Sequence, residues 1–152
     1  MDLVDKKIIS HLQRDCSTSV GEIAESVGLS QTPCWRRIKK LEDDGVIARR
    51  VALIDPEEAN LRLTAFVAIR AARHTEDWLN DFAARIRNIP EVVELHRMSG
   101  DVDYLMKVVC PDMATFDRIY KKLISVADFA DVSSTFSMEQ LKATTELPLD
   151  YA

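Results

Sequence analysis

A cluster of positive charge is the first feature of this sequence with suitable chemistry for binding phosphate. The segment 30–45, SQTPCWRRIKKLEDDG, holds four cations, which are Arg36, Arg37, Lys39 and Lys40. The chain as a whole is acidic, with a formal net charge of -5. Because such a cluster taken alone is more often a solvated helix face, its place in the fold decides what it does.

A second group of residues with binding chemistry lies in the segment 99-SGDVDY-104. Asp101 and Asp103 offer carboxylates, and Gly100 allows a ligand to approach the backbone closely. A free amino acid carries an ammonium and a carboxylate group, so acids beside backbone N–H groups suit it. Gly and Asp are also ordinary hairpin residues, and the local sequence leaves both interpretations open.

Residues for catalysis or for metal binding do not come together in the sequence. The three cysteines, Cys16, Cys34 and Cys110, are widely spaced and form no CxxC pair, which argues against a disulfide framework or a zinc site. The three histidines fall in different predicted elements, so a metal cluster is not expected. We therefore expect no enzyme activity, no metal and no cofactor.

The first fifty residues predict three helices. Apolar residues recur at helical spacing in 2–15 and in 19–29, and Ser19 with Glu22 forms an S-x-x-E capping box. Gly28 is suited to a left-handed helix stop, and Ser30 follows as the next cap. Because only two residues separate the second helix from this cap, the helices must cross sharply, as in a helix-turn-helix.

The third predicted helix has an apolar and a cationic face. Cys34, Ile38 and Leu41 lie at i, i+4 and i+7 and are predicted to point inward. In a helix-turn-helix the N-terminus of this helix enters the major groove, which favours DNA binding over a solvated face. Trp35 is predicted to pack beneath the following segment rather than on a sugar-phosphate backbone. The predicted DNA contacts are Ser30, Gln31, Thr32, Arg36, Arg37 and Lys40, with Arg49 and Arg50 just beyond the helix.

The rest of the chain predicts an α+β organisation. Residues 46–55 form a β-rich stretch, either a wing or a connecting strand, and 56–63 is the predicted hinge. Strands at 64–71, 92–98, 104–110 and 131–141 alternate with helices starting near Thr75 and after Asp112. The order β-α-β-β-α-β is that of a ferredoxin-like α/β sandwich. We thus predict a winged helix-turn-helix domain at 1–50, a connection at 51–63 and a second domain at 64–152.

Charge and hydropathy limit the possible partners. Residues 1–50 hold nine Lys or Arg against eight Asp or Glu, while the remainder holds eleven against seventeen, so the acidity belongs to the second domain. No apolar run reaches the roughly 20 residues of a membrane helix, and the N-terminus is charged at once, unlike a secretory signal. We expect a cytoplasmic protein without a membrane partner.

Two phrases in this sequence resemble one family. The runs 28-GLSQTPCWRRIKKLEDDGVI-47 and 98-MSGDVDYLMKVVCPDM-113, at this separation, are similar to the Lrp/AsnC (leucine-responsive, feast/famine) transcription regulators. The resemblance covers essentially the whole chain. It implies a winged helix-turn-helix joined to an effector and oligomerisation domain, which makes the chain a sequence-specific transcription regulator whose assembly or DNA affinity responds to a small amino acid. The ending 135-TFSMEQLKATTELPLDY-151 is closest to a branch with cysteine-responsive members.

The resemblance also implies partners and site residues. The partners are palindromic double-stranded DNA, an amino-acid ligand, and copies of the chain that form a dimer and then a tetramer or octamer. Strands 64–71 and 131–141 are the expected dimer-forming elements. An amino-acid sensor that acts by protein contact remains the alternative. The implied effector residues are Met98, Ser99, Gly100, Asp101, Asp103 and Tyr104, together with Met113, Phe136 and Ser137.

Overall fold

The computed structural model describes residues 1–73 and 75–152, so His74 lies outside the described residues. The chain divides into two compact units. One contains Met1–Leu53 and Leu141–Ala152, here called the head, and the other is Ile54–Gln140, here called the effector domain. The tail 141–152 was predicted to belong to the second domain, yet it packs in the head. The predicted domain bounds 1–50, 51–63 and 64–152 stay a prediction, from which this division differs in the placement of the tail.

The head is built on three helices, as predicted. Helix α1 spans Leu3–Arg14, α2 spans Val20–Ser26 and α3 spans Gln31–Asp43. Ser19 and Glu22 form the expected capping box, and Gly28 has the positive φ of 74° that a left-handed helix stop requires. The helices bury one shared apolar core, consisting of Ile8, Ile9, Ile23, Ala24, Cys34, Ile38 and Leu41.

The segment after α3 differs from its prediction. Residues 48–55 carry no strand assignment, although their alternating composition predicts one. A strand needs a neighbour to pair its backbone N–H and C=O groups, and no strand of the described chain lies beside this segment. A turn follows, in which the Leu61 N–H donates to the Pro56 carbonyl at 2.7 Å. The composition thus indicated extended backbone but not its pairing.

The effector domain has the predicted β-α-β-β-α-β order. Its elements are β1 Leu63–Ala71, α4 Glu76–Ile86, β2 Val92–Arg97, β3 Tyr104–Cys110, α5 Met113–Ser125 and β4 Phe129–Phe136. The strands form one antiparallel sheet in the order β2-β3-β1-β4. Helix α4 ends at Ile86, and β4 ends at Phe136 rather than near 141. One further bond follows β4, in which the Ser137 N–H donates to the Thr64 carbonyl at 2.9 Å. The α+β fold class is confirmed.

Both helices of this domain pack on one face of the sheet. Alternate residues of β1 are buried, with Ala65, Val67 and Ile69 fully enclosed against Phe82 of α4 and Leu123 of α5. The residues between them point to the opposite face, where Phe66 is 37% exposed. We call this opposite side the open sheet face. It leaves apolar surface uncovered in a single chain.

Candidate DNA-binding and effector sites

Helix α3 presents its N-terminal turn to solvent. Ser30 occupies the cap position with extended backbone, but its hydroxyl makes no capping hydrogen bond. Gln31, Thr32 and Pro33 are all exposed, and Pro33 has no N–H group. The free donors at such a helix end are well placed for a phosphate oxygen.

The cations of α3 are not equivalent. Arg36 is exposed and forms no ion pair within the described residues. Arg37, predicted to face DNA, instead donates through Nη1 to Asp2 Oδ2 and to Asp5 Oδ1, both at 2.7 Å. Position 37 follows Cys34 by three residues and precedes Leu41 by four, so it borders the buried stripe and lies beside α1. The structure thus pairs Arg37 with the start of α1, and its predicted contact with DNA stays a prediction.

The charges of this contact stabilise each other. Asp2 and Asp5 also form a capping box at the start of α1, in which each side chain accepts the other residue's backbone N–H. The pKa of Asp2 is lowered chiefly by the hydrogen bond from the Asp5 backbone and next by the one from Arg37. The pKa of Arg37 is raised by its bonds to Asp5 and then Asp2. A single cluster therefore caps α1 and fixes it to α3.

The remaining predicted DNA contacts are exposed but partly paired. Lys40 bonds Asp44 one turn later, and Arg50 Nη2 lies 3.0 Å from Glu42 Oε1. Exposed pairs of this kind contribute only about 0–1 kcal/mol, so a phosphate can replace the carboxylate. Trp35 is 54% exposed rather than packed, so its prediction was wrong. The outward surface of α3 therefore combines an indole with exchangeable cations.

In the effector domain, the turn between β2 and β3 is fastened to β1. The Met98 N–H donates to the Asp103 carbonyl at 2.8 Å, and the Asp103 N–H donates to the Ile69 carbonyl at 2.9 Å. Asp103 Oδ2 accepts the Ala71 N–H at 2.8 Å. Gly100 has a φ of 110°, which an L side chain rarely adopts. Asp103 is therefore a structural anchor of the turn as well as a predicted ligand contact.

A cavity of about 430 Å³ opens beside this turn. It brings together three of the predicted effector residues with five that the sequence interpretation missed. The predicted ones are Met98, Asp103 and Tyr104, and the missed ones are Thr75, Glu76, Leu79, Asn80 and Arg97. The spacing of Glu76, Leu79 and Asn80 on one helix face was a signal that could have found them. Ser99, Gly100 and Asp101 are not among the lining residues.

Two other predicted effector residues line a separate cavity of about 330 Å³ between α5 and β4. Met113 and Phe136 meet there, and the Phe136 ring packs edge-on against Phe116 with centroids 5.0 Å apart. The buried Ser134 hydroxyl has no hydrogen-bond partner among the described residues. Ser137 is not among the residues that line this cavity, and its N–H donates to the Thr64 carbonyl.

The head has a helix-turn-helix, and the second domain has a cavity that could hold a small ligand. These two features place the chain in the class of ligand-responsive DNA-binding proteins. Family models agree in both parts. A winged helix-turn-helix DNA-binding model matches residues 1–48, and the Lrp/AsnC ligand binding domain matches residues 64–147. The chain belongs to the Lrp/AsnC family, and it is a DNA-binding transcription regulator with an amino-acid-binding domain. The predicted family and function are confirmed.

Several relatives support this assignment over the full length. The DNA-binding transcriptional activator DecR of Escherichia coli (strain K12) is 46% identical over 151 residues, 99% of each chain. The glutamate uptake regulatory protein of Zymomonas mobilis is 48% identical over 149 residues, 98% of this chain and 91% of the relative.

Solved structures agree as well. The crystal structure of an AsnC family transcriptional regulator from Agrobacterium tumefaciens has a TM-score of 0.96 at 56% identity, covering 99% of both chains. A regulator from Neisseria meningitidis, solved in complex with L-methionine, has a TM-score of 0.94 at 38% identity, covering 99% of this chain and 98% of its own.

Proposed function

We propose that this regulator reads DNA with the first turn of α3 and holds the phosphate backbone with the cations behind it. The observation that carries the proposal is the exposed, uncapped start of α3, since this part of a helix-turn-helix enters the major groove. The proposed base and sugar-phosphate contacts are Ser30, Gln31 and Thr32. The proposed phosphate contacts are Arg36, Lys40, Arg49 and Arg50.

Arg37 has a different role in this proposal. Its guanidinium bonds Asp5 of α1 and Asp2, the residue that caps α1, so it holds α3 at a fixed crossing on α1. It is a positioning residue, and its effect on DNA binding is indirect.

Two heads on one symmetric base would then bind a palindromic operator. The open sheet face is the proposed dimer surface, because a single chain leaves the apolar side chain of Phe66 exposed on it. The neighbouring strand β4 is less apolar. Strand β1 contributes through its face, since it lies inside the sheet, whereas β4 is an edge. Half-sites would be spaced by one DNA turn, roughly 34 Å, or a multiple of it. Further assembly to a tetramer or octamer, in the cytoplasm, belongs to the same proposal.

The effector of this proposal is a free α-amino acid bound in the cavity beside the β2–β3 turn. The Arg97 guanidinium there suits a carboxylate, and Glu76 suits an ammonium group. Leu79 and Met98 offer apolar surface to the ligand's side chain. The α5–β4 cavity is the weaker candidate because Asp117 is the one charged group among its lining residues, so no cation there can hold a carboxylate.

Salt titration of operator binding tests the proposed DNA contacts. Each phosphate contact contributes about -0.9 to the slope of log affinity against log salt, so Arg36→Ala should make the slope less negative by about 0.9 for each head, or roughly 1.8 when two heads bind. Arg118→Ala, at an exposed position of α5, is the matched control and should leave the slope unchanged. Affinity that hardly depends on salt would instead favour a sensor acting by protein contact. We expect no turnover of any amino acid.

A further inference from the structure

The C-terminal tail returns to the head after β4 has ended in the effector domain. Because Ile54–Gln140 forms one unit and Leu141–Ala152 belongs to the other, the chain passes between the units twice. The first passage follows Leu53 and the second follows Gln140. The three helices are thus joined to the effector domain by one covalent connection after Leu53, and docking of the tail adds a second, non-covalent attachment.

The tail is recognised mainly by one side chain of α1. Gln13 Oε1 accepts the Leu147 N–H at 2.7 Å, and Gln13 Nε2 donates to the Leu147 carbonyl at 3.3 Å. Both backbone groups of Leu147 are therefore satisfied by one amide, which fixes the position of the tail along α1. The Gln13 carbonyl also accepts the Thr145 hydroxyl at 3.0 Å.

Two further contacts extend the docking. Leu149 is partly buried and packs against the apolar core of the head. Arg14 Nε lies 3.0 Å from Glu146 Oε2, but both side chains are largely exposed, so this pair adds little. The tail, α1 and residues 46–53 together enclose a mostly apolar cavity of about 710 Å³. The tail is thus one wall of the head.

The docking of the tail rests on few buried contacts. Residues 141–149 form no helix or strand, and Leu147 keeps 72% of its surface exposed. A segment held by few buried contacts opens with a much smaller free energy than the core of its domain.

We propose that residues 141–152 are a releasable strap, which limits the motion of the DNA-binding head by giving it a second attachment to the effector domain. Eight residues, 137–144, join the end of β4 to the docked Thr145. At about 3.3–3.6 Å per residue they can span no more than roughly 30 Å, so the docked strap restricts where the head can go. The segment that leads to the strap leaves β4 at Phe136, which lines the α5–β4 cavity.

Leu147→Pro in the full-length chain tests the strap without altering any residue of the three helices. Proline removes the N–H that Gln13 accepts. Leu141→Pro is the matched control, because Leu141 is 87% exposed and makes no hydrogen bond within the described residues. Gln13→Ala removes the same contact from the α1 side and should reproduce the effect of Leu147→Pro.

Hydrogen exchange and 15N relaxation provide the readouts. In the unaltered chain the Leu147 amide should exchange at least tenfold more slowly than in an unstructured peptide, and Leu147→Pro should abolish protection of Glu146–Ala152. The head amides should then show a shorter apparent rotational correlation time, while protection of Ile23 and Ile38 shows that the head is still folded. An unprotected Leu147 amide in the unaltered chain would overturn the proposal. Unchanged head relaxation after release of the tail would overturn it equally.

The consequence for DNA rests on the proposed function and has its own readout. Release of the strap should weaken binding to paired half-sites several-fold and leave binding to a single half-site unchanged, because only simultaneous engagement depends on where the heads are held. If no version of the chain binds DNA, the proposed DNA contacts fail, while the strap is still decided by exchange and relaxation.

Discussion

The guanidinium of Arg37 on α3 lies 2.7 Å from the carboxylate of Asp5 on α1. Asp2 accepts from the same nitrogen, so the start of one helix is tied to the middle of another. This contact distinguishes Arg37 from its neighbour in the sequence. Arg36 is exposed and forms no ion pair in the part of the chain that the structure describes.

Arg37→Ala should therefore lower the melting temperature of the protein and weaken operator binding with little change in the salt slope. The reason is that Asp2 and Asp5 lose their shared partner, and α3 is then less firmly oriented. Asp5→Asn should reproduce the loss of thermal stability, because it weakens the same contact. A change in slope equal to that of Arg36→Ala would instead show that Arg37 contacts phosphate.

The lowered pKa of Asp2 predicts a dependence of stability on acid. A carboxyl group whose pKa is lower in the folded state stabilises the fold above its ordinary value of 3.8, and this contribution is lost as the pH falls through the folded pKa. The free energy of unfolding, measured by urea titration, should therefore fall as the pH drops below about 4. Asp2→Asn should be less stable than the unaltered chain at neutral pH and should lose less on acidification. Equal acid sensitivity of the two proteins would contradict this role.

Arg97→Ala should remove the response to the effector. A ligand at 100 times its dissociation constant stabilises the folded state by about 2.7 kcal/mol, so a screen of the twenty amino acids by thermal unfolding identifies the effector. That stabilisation should disappear in Arg97→Ala, which takes away the proposed carboxylate partner. Arg87→Ala, which lies outside the cavity lining, is the control and should respond normally. A normal response of Arg97→Ala would place the effector elsewhere.

Asp103 and Asp101 should behave differently although both belong to the same turn. Asp103 accepts the N–H of Ala71, a residue that is 7% exposed, so Asp103→Ala leaves a buried donor unsatisfied. This should cost about 1–3 kcal/mol in the free energy of unfolding and also reduce the effector response. DNA binding without ligand should remain. Asp101→Ala, at an exposed site, should change neither property, and an equally large loss there would refute the distinction.

Phe66→Asp should dissociate the dimer if the open sheet face builds it. A carboxylate cannot be buried unpaired against the same residue of a second chain without a large desolvation cost. Light scattering after size-exclusion chromatography should show a smaller mass for this variant. Ile124→Asp on α5, where the parent residue is similarly exposed at 44%, should leave the mass unchanged. A drop in mass for Ile124→Asp alone would move the dimer surface to the helical side.

Local patterns in the sequence predicted the elements well. The Ser19–Glu22 capping box, the left-handed Gly28 and the inner face of α3 depend on residues a few positions apart, where side-chain spacing decides the outcome. The apolar run 64–71 similarly indicated the strand β1, which spans Leu63–Ala71.

Contacts between distant residues could not be predicted in this way. The pairing of Arg37 with Asp2, the lining of the cavity by Arg97 with Glu76, and the docking of Leu147 on Gln13 each join segments far apart in the chain. Such contacts depend on how helices cross and strands align. The spacing of residues along the chain does not encode that geometry for polar side chains.

Gln13 bonds the main chain of Leu147 and not its side chain, and this has a consequence for sequence drift. Nearly any residue except proline can occupy position 147 while the same two bonds form, so homologous tails are free to diverge in outward chemistry. Selection should act instead on the glutamine. A regulator could thereby acquire new surface properties in residues 141–152 while the tail still binds α1.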